Sequence, residues 1–342
     1  MTSAALVRPD GVDTSMAPFV GPTPDTVQWG AIDPAAAMIG PFALDEPLRV
    51  RTVQGDPGDN VADGWVAAEI EELHRATAPT GEGPHVLTGP IGFEGLVAGD
   101  VVAVHIDDVT LAAPYGFNRI RPGLGVLPGE VDELTEVIYP IDRDRRTALV
   151  HGIEVPLRPF PGIVATLPDP AGGPVTTKDP GPHGGNLDCT LLVEGSTLYL
   201  PVVVDGAGLC LGDGHGAQGD GEVDLTAIET CLDLTVRATL GPTLTVEVVA
   251  PYAVTPAGFV VMGLGATLDE ALHAAVAQTV DLLAATTDLD RVACYRLLSV
   301  VGDCRITQAV SRLRGVHVVV PGPIAAQLPG RPAWLDHLEW TR

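Results

Sequence analysis

A chain of 342 residues leaves room for about two domains, and a hydrophobic fraction of 46% fills a sizeable core, which excludes wholesale disorder. Nineteen basic residues against 44 acidic ones give a net charge of −25; such a field repels phosphate backbones and anionic membranes, so nucleic-acid and membrane partners are excluded and a neutral or cationic ligand is favoured. With 4% aromatic residues, 40 glycines and 31 prolines, the composition favours short strands joined by tight turns over a helical bundle.

Residues 1–20 read as a loosely tethered arm, with no basic stretch leading into an apolar core and hence no expected signal peptide. No apolar run approaches the ~20 residues that span a bilayer. Cys189, Cys210, Cys231, Cys294 and Cys304 are odd in number and form no CxxC pair, which fits reduced thiols in a cytoplasmic protein.

From Val27 to about Val164 the pattern is short strands and turns. In "AGDVVAVHIDDV" a turn at Gly99–Asp100 precedes Val102, Val104 and Ile106, which alternate with Ala103, His105 and Asp107. Residues 166–188, "TLPDPAGGPVTTKDPGPHGGNLD", read as one long Pro- and Gly-rich loop, and loops of that length are usually functional. "STLYLPVVV" reads as a strand buried on both faces. "CLDLTVRATL" places Leu232, Leu234, Val236, Ala238 and Leu240 on one face, and "TLTVEVV" after Gly241–Pro242 repeats the alternation, so the two read as a hairpin. A helix follows in "TLDEALHAAVAQTVDLLAA", where Thr267 and Glu270 stand at capping-box spacing and Leu272, Val276, Val280 and Leu283 share a face. A second helix starts at about Asp290, and "GVHVVVP" returns to strand. The chain therefore reads as β-rich α+β, with strands of sandwich or barrel type and an attached helical hairpin. Its expected divisions are the arm (1–20), an N-terminal β-rich lobe (21–165), a C-terminal α+β lobe (166–322) and a tail (323–342).

The densest polar motif is "LGDGHGAQGDGEVDLTAIE", residues 211–229. Gly214, Gly216 and Gly219 spell GxGxxG, but Asp213, Asp220 and Glu222 among them repel a phosphate. A calcium loop of the EF-hand type counted from Asp213 needs glycine sixth and glutamate twelfth; Gln218 and Asp224 stand there instead. Of the five serines, Ser3, Ser15, Ser196, Ser299 and Ser311, none lies in GxSxG, and Lys178 is the single lysine. For a hydrolase, activation of water by a metal is what is left. Candidate groups occur in three places: His85 in "GPHVLTGP", then His183, Asn186 and Asp188 in "GPHGGNLD", and finally Asp213, His215, Asp220 and Glu222. Residues two apart in extended chain share a face, pairing Asp213 with His215 and Asp220 with Glu222. Histidine and carboxylate ligands suit a catalytic zinc.

The motifs "GPHVLTGPI", "GFNRIRPGLGVLP", "PLRPFPG", "GPHGGNLD", "STLYLPV", "GDGHGAQGDGE…TAIE" and "CRITQAV…GVHVVVP", in that order over roughly residues 25 to 322, resemble the acetamidase/formamidase family. The resemblance implies a β-rich α+β fold, a homo-oligomer, hydrolysis of a small linear or possibly cyclic amide, and zinc, or alternatively calcium, near the His/Asp/Glu motifs. It maps polar site residues onto His85, His183, Asn186, Asp188, Asp213, His215, Gln218, Asp220 and Glu222. The expected roles are His85, Asp188 and His215 as metal ligands and Glu222 as proton carrier, with Asp220 as orienting or alternative base. Asn186, Gln218, His183 and Asp213 are expected to contact substrate or oxyanion. The chain departs from the family pattern at Gln28-Trp29-Gly30, where many members read His-Trp-Gly. It departs again at Gly206-Ala207-Gly208-Leu209-Cys210, where members tend to read Gly-Ala-Leu-Phe-Ser and the loss of bulk at Gly208 and Leu209 predicts a wider pocket. A relative that only binds metal or a small ligand is the alternative that Gln28 suggests.

Overall fold

Apolar side chains alternating along strands that are covered on both sides feed two different cores. In Val101–Leu111, Val102, Val104 and Ile106 enter one core and Ala103 the other; in Thr197–Pro201, Leu198 and Leu200 are divided from Tyr199 in the same way. The computed structural model describes residues 17–54, 68–337 and 340, so most of the expected arm lies outside the described residues. Phe19–Val20, at its end, forms a strand parallel to Leu48–Arg51.

The two divided strands belong to a nine-stranded sheet. Its order is Phe19–Val20, Leu48–Arg51, Leu232–Leu240, Val101–Leu111, Thr197–Pro201, Tyr252–Thr255, Gly258–Gly265, Arg314–Pro321 and Asp303–Gln308. A twelve-stranded sheet contains Tyr115–Ile120, Glu229–Thr230, Leu209–His215, Phe160–Ala165 and Gly184–Asn186 in sequence across it, with Val86–Phe93 branching onto Leu209–His215. The largest core joins side chains of both sheets, such as Val104, Leu234 and Val260 from the first and Ile91, Val164 and Leu211 from the second. The other face of the nine-stranded sheet is covered by two helices, Leu268–Thr286 and Arg291–Val301. The result is a sandwich with a helical layer, α+β and strand-rich as expected; the sheets do not close into barrels. Each sheet takes strands from both sides of residue 165, so the boundary expected there does not separate them. Among the described residues no helix is long and apolar enough to cross a membrane.

The helix starts are where the sequence put them. Thr267 and Glu270 form the reciprocal capping box, and the Asp290 side chain accepts from the Ala293 amide. Of the expected face of the first helix, Val280 and Leu283 are buried, but Leu272 is 39% exposed, and the small residues Ala271 and Ala275 are inside together with Leu282. The reason is close approach. A Cβ on Gly263 would stand 2.1 Å from the Ala275 amide nitrogen, so the small residues of the helix sit directly on the glycine of the strand.

Three further expectations are corrected. Residues 243–249 form no strand and no hairpin; Leu232–Leu240 pairs along its length with Val101–Leu111, and on its other side Asp233–Val236 pairs with Leu48–Arg51. Their alternation records one-sided packing of Leu244, Val246 and Val248 against the helical core, with Gln278 Oε1 accepting from the Val249 and Ala250 amides. "STLYLPVVV" leaves the sheet at Pro201. Segment 166–188 contains short strands at Val175–Thr176, Pro180–Gly181 and Gly184–Asn186.

His317, on Arg314–Pro321, is fully buried; its Nδ1 meets Thr307 Oγ1 at 2.8 Å and its Nε2 has no partner. Burial pushes its pKa from 6.5 down to about 4, with Asp220 opposing weakly. The folded state thus binds the proton less tightly than the unfolded chain, and stability falls as pH drops through that window, by up to about 3 kcal/mol from this residue. His317→Gln, which keeps a partner for Thr307, should show a smaller loss of urea-unfolding stability than wild type between about pH 7 and about pH 4. Equal losses in the two proteins would remove His317 from the acid response.

Candidate functional site

The site grows from Leu209–His215. A Cβ on Gly212 would lie 2.4 Å from the Leu87 side chain, and one on Gly214 2.5 Å from the Thr230 carbonyl oxygen, so neighbours press too closely for any side chain at either position. Asp213 and His215, alternating with them, come together as expected: His215 Nε2 is 3.4 Å from Asp213 Oδ1. The antiparallel partner opposite His215 is Glu229, whose Oε2 also stands 3.4 Å from His215 Nε2. The Ala227 amide fixes the other oxygen of Glu229.

Two more carboxylates complete the cluster. Ligand-type atoms of Asp188, His215 and Glu222 lie within 4.8 Å of one another, as do those of Asp213, His215 and Glu229. Asp188, Asp213 and Glu222 all have left-handed backbones, with φ of 50°, 55° and 45°. That conformation costs an L-residue about 1–2 kcal/mol and persists only where the surroundings enforce it. Gly162 makes room for the carboxylates: a Cβ there would be 2.6 Å from Asp213 Oδ2 and 2.9 Å from Asp188 Oδ1.

Four carboxylates therefore surround one imidazole in a dry interior. Burial, then the charge of Asp213, raises Asp188 well above the carboxylate range; burial and Asp188 do the same to Glu222. Burial also opposes ionisation of Asp213, but His85 and His215 outweigh it and hold its carboxyl below the usual range. For His215 burial favours the neutral ring, yet Glu229 and Asp213 together raise it well above 6.5. Both oxygens of Asp188 and Nε2 of His215 are buried without a hydrogen-bond partner. Gln218 Oε1 faces His215 Nδ1 at 2.8 Å, so Nδ1 carries the donated hydrogen and Nε2 is left for the cluster.

The expected residues divide by position. His85 is outside both groups of three: its Nε2 is 3.7 Å from Asp213 Oδ1, and its Nδ1 is held by the Thr177 carbonyl at 3.0 Å. Asn186 donates from Nδ2 to the Lys178 carbonyl, while its Oδ1 is buried and unpartnered. Gln218 is not part of the cavity lining: its Nε2 donates to the Asp188 carbonyl and its Oε1 serves His215. His183 is packed against Gly181 and Gly185 away from the cluster, and burial lowers its pKa to about 4. Asp220 does not share a face with Glu222, since the chain turns between them at Gly221 (φ 97°). Its carboxylate accepts from Arg305 Nε at 2.6 Å and from Thr190 Oγ1 at 2.9 Å, tying the Asp188 and Glu222 segments to Asp303–Gln308. Glu229 was missed. Its strand, Glu229–Thr230, is too short for any period, and only its pairing opposite His215 would have revealed it.

A cavity of about 490 Å³ opens on the cluster, lined by His85, Asn186, Asp213, Glu222 and Glu229 together with Phe117, Leu225 and several cationic side chains. Neither proposed determinant of a wider pocket is part of the lining: Leu209 is buried in the core between the sheets, and Gly208 faces Leu167. Gln28 is also elsewhere, accepting from the Asp33 amide and donating to Cys210 Sγ.

The Acetamidase/Formamidase family model matches residues 77–172 and 171–326. A formamidase from Methylophilus methylotrophus is 29% identical over 248 residues, which span 57% of this chain and 58% of that protein. The crystal structure of an acetamidase from Bacillus halodurans superposes with a TM-score of 0.76 at 27% identity, covering 90% of this chain and 99% of that one. For an acetamidase/formamidase assigned in Thermoanaerobacter tengcongensis the values are 0.79 and 25%, with coverage of 92% and 100%.

Gly162→Ala tests the crowding of the two aspartates. It should cost about 1–3 kcal/mol of unfolding free energy, the usual scale of overpacking. Gly129→Ala, where a Cβ meets nothing within 4 Å, should be near neutral. Equal stability of the two variants in denaturant titrations would mean the aspartates yield freely.

Proposed function

The chain belongs to the acetamidase/formamidase family, and from that premise we propose that it hydrolyses the C–N bond of a small non-peptide amide to a carboxylate and ammonia or an amine, with a divalent cation at the buried cluster. One observation carries the proposal: Asp188 Oδ1 and Oδ2 and His215 Nε2 are buried without a hydrogen-bond partner beside three further carboxylates, two of them 3.4 Å from that nitrogen. Such a set is unstable without protons or a cation to hold its charge. An imidazole nitrogen with carboxylate oxygens suits zinc, and the surplus of oxygens leaves calcium as the second candidate.

When bound, the cation supplies a Lewis acid that acidifies water and polarises the amide carbonyl. Asp188 and His215, which do not line the cavity, would be among the residues that hold it, and Gln218 fixes the His215 tautomer. Asp213, Glu222 and Glu229 belong both to the cluster and to the cavity lining. Glu222, raised by burial and Asp188, holds a proton closer to neutrality than an ordinary carboxylate. It takes the proton of the attacking water and returns it to the leaving nitrogen. Asn186 Oδ1, unpartnered and in the cavity wall, accepts an N–H of the substrate amide. A cytoplasmic location, supported by five free cysteines, and a homo-oligomeric state, which rests on the family resemblance, belong to the same proposal. The alternative, a relative that merely binds a ligand, loses the support of Gln28, whose side chain serves Asp33 and Cys210 outside the cavity lining.

Elemental analysis and ammonia release from formamide, acetamide and longer amides test this reading. His215→Ala should lose bound metal and turnover together, and Gln218→Leu should weaken metal affinity about 10–100-fold. Full metal occupancy in His215→Ala would refute the ligand assignment. Absence of turnover on every amide, with metal bound, would favour the ligand-binding relative.

A further inference from the structure

The cavity is larger than a two-carbon amide needs. At about 490 Å³ it falls among pockets of about 300–1,000 Å³ that enclose drug-sized ligands. Its wall is also rich in cations for a chain of charge −25: Arg119, Arg121, Lys178 and Arg312, four of the 19 basic residues, line it, alongside Glu82 and Asp179 as well as Asp213, Glu222 and Glu229 of the cluster. Three of these four cations are already engaged, Arg121 among them. Arg119 is paired with Glu136 at 2.5 Å and Arg312 with Asp179 at 2.6 Å. Lys178, the chain's single lysine, has no carboxylate within 4.0 Å among the described residues.

The position of Lys178 is built rather than incidental. The Thr177 carbonyl holds His85 Nδ1, the Lys178 carbonyl accepts from Asn186 Nδ2, and the Asp179 carboxylate accepts from Arg312 Nε. Three consecutive residues are thus each tied to a different residue of the cavity lining. The backbone of this segment is thus anchored, and the exposed Lys178 side chain, with no protein counter-charge within 4.0 Å among the described residues, lines the cavity onto which the carboxylate cluster opens. Net charge alone favours neutral or cationic ligands, but a cleft with its own charged wall sets the local potential.

Resting on the amidase reading above, we propose that the substrate is the monoamide of a dicarboxylic acid, its amide at the buried cluster and its free carboxylate on Lys178. The reaction balances as monoamide plus water giving dicarboxylate plus ammonium: the C–N bond breaks, water oxygen joins the acyl carbon, and the nitrogen leaves with the protons.

The test uses metal-loaded full-length protein, with succinamate and glutaramate as anionic probes and butyramide and valeramide as neutral ones. Binding is followed by calorimetry and turnover by ammonia release, in wild type, Lys178→Gln and Lys178→Arg. Wild type should bind and process the anionic probes about ten-fold better than the neutral ones, the scale of one charge-assisted hydrogen bond. Lys178→Gln should lose that margin through KM, and Lys178→Arg should restore most of it. Equal binding of anionic and neutral probes by wild type, or a margin that survives Lys178→Gln, overturns the proposal. If no amide is turned over, the amidase reading fails, and the binding titrations still decide whether Lys178 selects a carboxylate.

Discussion

Four carboxylates and one imidazole packed into a water-poor interior constrain everything around them. Asp188, Asp213, Glu222 and Glu229 converge on His215. Like charges at that spacing in a low dielectric repel by several kcal/mol per pair, so some must carry protons unless a cation is present. The opposed shifts follow directly: Asp188 and Glu222 are driven toward the neutral acid, while Asp213 and His215 are held as an ion pair. An arrangement that costs this much contributes little to folding by itself. Its rationale is the charge that it can accept.

The scaffold meets that cost by over-determining each group. Glycines at 162, 212 and 214 let three strands approach until no Cβ fits between them. Gln218 links His215 to the Asp188 backbone, so the ligating nitrogen and the most buried carboxylate move as one unit. Asp220 joins Thr190 and Arg305, while the Gly221 amide and carbonyl pair with Thr307 and Ala309. Through these contacts the outer strand of the nine-stranded sheet braces the left-handed turn at Glu222. An exposed ion pair such as Asp220–Arg305 is worth little as stability; its effect is geometric.

What the sequence revealed depended on whether a signal was local. The capping box at Thr267–Glu270 and the cap at Asp290 are local chemistry and appear as read. The pairing of Asp213 with His215 follows from the two-residue period of a strand and also holds. The same period failed for Asp220 and Glu222 because Gly221 and Glu222 leave extended geometry. It failed for 243–249 because alternation reports burial on one side and says nothing about pairing with a neighbouring strand. Glu229 and Lys178 acquire meaning only when the sheets are assembled, one opposite His215, the other on a segment whose neighbours grip the cavity wall.

Adjacency along the chain also misled the reading of specificity. Leu209 precedes Asp213 by four residues, which in a strand of about 3.3 Å per residue is a separation near 13 Å. That distance, together with its orientation into the core, removes Leu209 from any contact with a ligand at the cluster. Differences between this chain and its relatives at 208 and 209 therefore report on packing beneath Met38 and Leu167. Selectivity must instead come from residues that reach the cavity from other segments: Phe117 and Arg119 from one strand, Leu225 and Thr226 from the turn after Glu222, and Val310 to Arg312 beyond Gln308. Gln308 holds that last turn through the Val310 and Ser311 amides and the Leu313 carbonyl. The strand that braces Glu222 thus also leads into part of the wall, so the placement of Glu222 and the shape of the pocket are mechanically coupled.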